Sequence, residues 1–348
     1  MIWLSWRQFR VQAVVAGAAL VVVAIALLAT GPHLASLFDS NGLPTCRTTC
    51  SADASNFINQ LKGSATELIF YGSTFLLYAV PGLIGIFWGA PLVARELESG
   101  TFRLAWNQSV PRARWIAVKL GLVGLAAMAT TGLLSLMTSW WASPIYHAAQ
   151  KAGPNSLSIV DKIAPPLFGA TGIAPVGYAA FAFALGVTAG VLIRRTIPAM
   201  AVTLVIFAAV QVVMPLLIQP HLIPPVQLTA PFNANTANEI MVDSRGSGPP
   251  TMTVVGNLSK PGAWTLSNQT ITPSGKVFAG PAASACTSNS APPQACNNWL
   301  NTLHLRQLIS YQPASRYWPM QWLELAIYLV LAASLSLLCI WQVRRRRG

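Results

Sequence analysis

The 348-residue chain is 53% hydrophobic and only 9% charged, whereas a soluble domain carries roughly a quarter charged residues, so an ordinary water-soluble fold is excluded. A net charge of +13 would suit nucleic acid, but thirteen of the 22 Lys and Arg residues gather at the same ends of apolar runs: Arg7 and Arg10; Arg95, Arg103, Arg112, Arg114 and Lys119; Arg194 and Arg195; Arg344 to Arg347. That is the positive-inside pattern of a polytopic membrane protein, and no contiguous basic face with interleaved aromatics offers a nucleic-acid surface.

In chain order, Met1 to Gln12 places Ser5, Gln8 and Gln12 on one helical face and Ile2, Trp6 and Phe9 on the other, the pattern of a helix lying in the membrane interface. A plain extension of the first span fits the same residues. The first apolar run, Val11 to Thr30, is too long for a signal-peptide core and lacks a clear cleavage site, so it reads as a retained span, Val11 to Ala29. An external loop is expected from Gly31 to about Thr66. The second span, Leu68 to Val93, is interrupted by Pro81-Gly82 and Gly89-Ala90-Pro91, which a membrane tolerates only where neighbours satisfy the freed backbone groups. Such a helix is expected to face protein.

The third span runs from Trp115 to Trp141, and its Trp140-Trp141 end is expected to anchor it at the outer interface. Ala142 to about Gly172 shows little regular pattern. Ile173 to Ile193 and Ile197 to Ile218 form the fourth and fifth spans, joined by the tight turn Arg194-Arg195-Thr196. From Gln219 to about Trp318 the chain is polar and rich in Pro, Gly, Ser, Thr and Asn, with β-leaning pieces at Thr251 to Val255 and Ala263 to Ile271. A sixth span, Trp322 to Trp341, ends in the arginine run. The expected organisation is 1–218 for the N-terminal interfacial helix and five spans, 219–318 for a mixed, β-leaning external domain, and 319–348 for the last span and basic tail. Both termini and Ser99 are expected inside, and Asn257 outside.

The most informative stretch is Arg95 to Lys119, a polar segment set between two spans. Gly100-Thr101 reads as a helix stop followed by an N-cap, and Pro111 ends the short helix between them. Phe102 and Trp106, four apart, share one face of that helix, which suits docking to a soluble partner. Glu96-x-Glu98-x-Gly100-Thr101, followed by Trp106-x-Gln108-Ser109-x-x-Arg112-x-Arg114-Trp115 and Lys119, resembles the loop after the second span of ABC-2 type transporter permeases, and is most similar to the actinobacterial members. The resemblance implies an all-α polytopic fold of six transmembrane helices, with an N-terminal elbow helix, a cytoplasmic coupling helix between helices 2 and 3, and an external domain between helices 5 and 6. It implies that Glu96, Glu98, Gly100, Thr101, Phe102, Trp106, Gln108 and Arg112 engage a groove of a separate ATP-binding cassette subunit. A second permease subunit, identical or related, completes the transporter in a bacterial plasma membrane. Spans two and five flank the route in that family, so Tyr71, Phe75 and Tyr78 with Gln211 and Met214 become lining residues for an amphipathic or apolar substrate. Taken alone, an aromatic stripe at this spacing is also ordinary packing.

The chain shows no Walker A pattern, because Gly275-Lys276 lacks the upstream glycine and the following Ser or Thr. ATP and magnesium are therefore expected in the partner subunit, and no cofactor in this chain. No paired-carboxylate, GxSxG or HExxH constellation is present, so a transport subunit without its own ATPase site fits better than an enzyme. An integral-membrane transferase, or a sensor with an external ligand-binding domain, is the alternative class. Of five cysteines, Cys339 lies in the last span, and the other four are expected outside, where disulfides persist. Proximity favours Cys46–Cys50 and Cys286–Cys296 over cross-loop pairing, and the four histidines show no ligand spacing with them, so no metal is expected. Glu324, just inside the outer end of the last span, is costly there and is expected either to pair with Arg316 in an outer gate or to rest as an interfacial carboxylate.

Overall fold

The computed structural model describes residues 2–47, 50–99, 112–151, 161–237, 239–243, 251–258, 260, 262–281, 283–287 and 293–345. Six helices in it are long and apolar enough to cross a membrane: Phe9–Ser40, Ala65–Glu98, Arg114–Trp141, Ala174–Ile193, Thr196–His221 and Ala314–Arg345. The protein is a multi-pass membrane protein, mostly helical, with small sheets in its C-terminal part.

The first helix is continuous from Ile2 to Ser40, which corrects two expectations. The N-terminal interfacial helix is not a separate element. No glycine or proline occurs before Gly17, so nothing stops the opening turns from merging with the span. At the other end the helix passes Gly31-Pro32 and continues about three turns beyond Ala29. Tertiary packing offsets the helix break there: Leu27 and Leu34 are buried in a cluster with Phe57, Tyr146 and Trp141, and Trp141 Nε1 donates to Thr30 Oγ1 at 3.0 Å. The expected long loop is shortened further by a helix over Ser51–Leu61, whose Ala54, Phe57, Ile58 and Leu61 face that same cluster. Likewise Ala142 to Gly172 is not patternless, since Ser143–Lys151 is helical and buries Ile145, Tyr146, Ala148 and Ala149.

The second span is not broken at its prolines. It runs from Ala65 to Ile84, widens into a π-turn over Gly85–Gly89, and resumes over Ala90–Ser99. Pro91 cannot donate to the carbonyl four residues earlier, Phe87 O, and Gln12 of the first span donates to that carbonyl at 3.1 Å instead. The expectation that this helix faces protein holds on one side: Leu77, Ile84, Trp88 and Ala90 are buried.

The fourth span is the axis of the bundle. Of its most apolar window 83% is buried, against 6% for the first span, whose Val14, Val22 and Ile25 point outward as a lipid face requires. It packs against the second, third, fifth and sixth spans. Close approach to the second span depends on small residues spaced four apart on both helices: Gly85 and Gly89 on one, Ala182, Gly186 and Gly190 on the other. A Cβ on Gly85 would stand 2.6 Å from Ala182 O, and one on Gly190 would stand 2.6 Å from Ala90 O.

Between the fifth and sixth spans the chain builds two three-stranded antiparallel sheets, β1 (Val226–Pro231), β6 (Arg306–Gln312) and β4 (Trp264–Ile271) in the order β1-β6-β4, and β2 (Glu239–Asp243), β3 (Thr251–Val255) and β5 (Gly280–Pro281) in the order β2-β3-β5. Alternation decides which faces turn in. On β3, Met252 and Val254 are buried with Phe232, Phe278, Leu300 and Leu305, while Thr251 and Thr253 are exposed. β6 leads through the single turn Ala314–Arg316 into the last helix, Tyr317–Arg345, so this sheet is joined to the sixth span with almost no slack. Cys46 is bonded to Cys50 and Cys286 to Cys296, as proximity favours.

Candidate functional site

Two regions concentrate polar side chains in an otherwise apolar bundle. The first is at the arginine-rich end, where the second span gives way to the segment singled out in the sequence. Gly100, Thr101, Phe102, Trp106 and Gln108 lie outside the described residues; Arg112 begins the third helix, and its side chain is also outside them. What the structure describes is how both ends of that segment are held. Lys119, 2% exposed, forms a 2.5 Å ion pair with Glu96, and its ammonium lies 4.6 Å from the centroid of Trp115. Two elements supply this pair, the last turns of the second span and the first turns of the third. A buried pair of this kind gives position more than net stability, because desolvation offsets the Coulomb attraction, whereas removing one partner strands the other charge.

Glu98 does a second job at the same end. Its Oε2 accepts from Thr196 N at 3.2 Å and from Thr196 Oγ1 at 2.8 Å, satisfying donors at the start of the fifth span, where a carboxylate also meets the positive end of the helix dipole. The turn that delivers Thr196 is tight because Arg194 takes a left-handed conformation with φ 60°, its N–H bonded to Gly190 O at 3.0 Å. Thus Glu96 and Glu98, read in the sequence as partner-facing, are engaged within the chain and clamp the second span to the third and fifth.

The second region is inside the bundle. Gln321, Glu324 and Tyr328 are spaced i, i+3, i+7, so they form one stripe on the sixth span, directed at the fourth and fifth. Glu324 is fully buried and accepts from Tyr178 OH at 2.5 Å and from Gln219 Nε2 at 2.9 Å. Gln321 Oε1 accepts from Ile173 N and Ala174 N at 3.0 and 2.8 Å, filling the role of an N-cap for the fourth span, and its Nε2 donates to Phe168 O at 2.8 Å. Tyr328 OH donates to Gln211 Oε1 at 3.0 Å. Tyr178 sits between two other tyrosines, stacked on Tyr78 at 6.1 Å and edge-on to Tyr328 at 4.7 Å. Chemically this is a neutral-donor cradle around one carboxylate, tying the fourth, fifth and sixth spans together.

The expected outer gate between Arg316 and Glu324 is corrected. Arg316 Nη1 donates instead to Pro224 O and to Gln312 Oε1 at 2.5 and 2.9 Å, in the turn that joins β6 to the last helix. Glu324 lies two helical turns further along and faces inward, so it is not an interfacial carboxylate either. The five expected lining residues do not form one surface. Tyr71 and Phe75 stand outward, 45% and 70% exposed, whereas Met214 is buried and Gln211 belongs to the tyrosine cluster. Tyr78 bridges the two settings, with its hydroxyl donating to Pro166 O at 2.7 Å.

Tyr178, Gln219, Gln321 and Tyr328 are absent from the sequence reading, and Lys119 enters it only as a flanking basic residue of the loop, not as the partner of Glu96. The stripe Gln321, Glu324, Tyr328 was recoverable from helical spacing alone. Gln219 was not, because it lies at the end of an apolar run in a region read as the start of a loop. Among the described residues no group of His, Cys, Asp and Glu could hold a metal ion.

A family model described as ABC-2 membrane transporter related matches residues 17–219. No curated protein and no solved structure matches the chain.

Proposed function

Because the chain belongs to the ABC-2 membrane transporter related family, which matches it over residues 17–219, we propose that it is the membrane-spanning subunit of an ATP-driven exporter that moves an amphipathic or apolar substrate. It is a permease component; the ATP and magnesium are held by a separate ATP-binding cassette subunit. The segment 100–111 carries the coupling helix, with Phe102 and Trp106 as its anchors and Arg112 beside them. The observation that carries this reading is the clamp at the ends of that segment. Glu96–Lys119 and Glu98–Thr196 tie it to the starts of the third and fifth spans, so a push on the segment moves helices as rigid bodies instead of being absorbed by a slack loop. A second copy, or a related subunit, meets this one through outward apolar faces such as Tyr71 and Phe75, and the substrate passes along that contact.

Affinity purification of the chain from its own cells in a mild detergent is expected to retain a protein with a Walker A sequence, in a particle containing two membrane subunits. A particle holding only this chain, with turnover of a lipid-linked substrate, would replace the exporter with a membrane enzyme.

Orientation follows from the charge distribution. The arginine-flanked ends, Ser99 and the C-terminus face the cytoplasm, and residues 219–318 form an external domain in a bacterial plasma membrane. With Cys339 replaced by serine, a single cysteine at the exposed Ser274 is expected to react in intact cells with a membrane-impermeant maleimide, and one at Ser99 only after lysis. Labelling of position 99 and not of 274 would invert the arrangement.

A further inference from the structure

A cleft of about 290 Å³ lies where the third and sixth spans meet the sheets, at the end of the bundle remote from the arginine clusters. Its floor is Tyr146, its walls include Ser139, Tyr317 and Trp318, and two charged residues, Asp161 and Lys162, enter it side by side. The walls are fixed before any ligand arrives. Tyr317 OH donates to Thr171 Oγ1 at 2.9 Å, and Gly172, at φ +67°, leaves room for that hydroxyl, which a Cβ there would meet at 2.6 Å.

The charges in this cleft are unusual for their surroundings. Neighbouring residues of opposite sign would ordinarily pair, yet Asp161 and Lys162, both half-buried, form no ion pair and no side-chain hydrogen bond among the described residues. Lys162 rests its ammonium 4.3 Å from the centroid of the Tyr146 ring. Partial burial disfavours both charged forms: the Asp161 carboxyl is pushed up to about 6, and the Lys162 ammonium is pushed down. Close by, Ser139 Oγ is buried without a hydrogen-bond partner among the described residues. Each of these groups lacks something that a ligand would supply.

From the separate opposite charges, the unpartnered hydroxyl and the aromatic walls, we infer that this cleft binds a small zwitterion bearing an ammonium and an anionic group a few bonds apart. A simple anion would answer Lys162 and be repelled by Asp161; a simple cation would do the reverse. An apolar molecule would leave both charges stranded in a drier site than before. The volume is at the small end for ligand pockets and suits a head group, not a whole lipid or peptide. Such a head group has two sources. One is an aminophospholipid at the same membrane face, where Trp140 and Trp318 are exposed as interface anchors; the other is a free phosphoamine or amino acid in solution.

The inference goes beyond transport and needs no ATP-binding subunit, so its failure would leave the exporter reading standing and the reverse is also true. The test is equilibrium binding to the delipidated full chain in detergent, by native mass spectrometry for phosphatidylethanolamine and by calorimetry for O-phosphoethanolamine. Ethyl phosphate and ethylammonium serve as single-charge probes. The zwitterion is expected to bind at least tenfold more tightly than either single-charge probe. Asp161→Asn and Lys162→Gln are each expected to weaken it tenfold or more, and Asp161→Asn is not expected to lower thermal stability, since it removes a charge with no ion-pair partner among the described residues. Affinity for phosphatidylethanolamine, whose phosphodiester charge is constant over this range, is also expected to rise from pH 5 to pH 7 as Asp161 ionises. Saturable binding of the lipid alone identifies a lipid head group as the occupant; binding of both identifies the head-group chemistry itself. Equal affinity for zwitterion and ethyl phosphate, or parent-like binding by both variants, would overturn the assignment.

Discussion

Gly186→Val is expected to abolish the folded bundle. The fourth and second spans meet backbone to backbone here, and a Cβ on Gly186 would collide with Gly85 O and stand 2.8 Å from Ala90 N. Overpacking between flexible side chains costs about 1–3 kcal/mol because rotamers can yield. Here the obstructing atoms are main chain, so the helices themselves must separate. That would undo Gly85, Gly89 and Gly190 at once, because all four glycines serve one contact. The fourth span also packs against the third, fifth and sixth, so its displacement spreads through the molecule. The expected loss is at the top of the overpacking range or beyond, read as failure to elute as a single species from detergent and loss of a thermal transition. Gly121→Val is the control, since nothing lies within 4 Å of a Cβ added there. Equal yield and melting temperature for the two variants would mean that the close approach does not hold the bundle together.

The same glycines mark what was readable in the sequence. Gly85-x-x-x-Gly89 and Gly186-x-x-x-Gly190 stand in plain view, yet the first was absorbed into a reading of helix breakage around Pro91. Span count and order were legible because bilayer thickness sets a length that composition alone reveals. Span ends were not. The first helix runs past Gly31-Pro32 to Ser40 because that end is held by contacts with residues more than a hundred positions away, such as Trp141. The disulfides followed from proximity, whereas the partner of Glu324 did not. Charge complementarity pointed to Arg316, but the last helix turns Glu324 inward to Tyr178 and Gln219, and the turn before it spends Arg316 on Pro224 and Gln312. Sequence identifies a costly intramembrane carboxylate; only the packing of three helices decides what answers it.

The proposed coupling rests on residues 100–111. If Phe102 and Trp106 fill a groove of an ATP-binding subunit, each is a buried aromatic anchor, and truncating such an anchor typically costs about 2 kcal/mol or more, roughly thirty-fold in affinity. The clamps that flank the segment, Glu96–Lys119 and Glu98–Thr196, are untouched by changes at 102 and 106, so the bundle should stay folded. Leu136→Ala on the third span removes an outward-facing side chain, 70% exposed, and should leave coupling alone. The decisive measurement is partner co-purification together with substrate-stimulated ATP turnover in nanodiscs for the Phe102→Ala, Trp106→Ala double variant. The expected result is a folded, inserted protein that loses the partner at least roughly thirty-fold more readily and no longer shows substrate-stimulated turnover. A double variant that retains its partner and turns over ATP like the parent would contradict it.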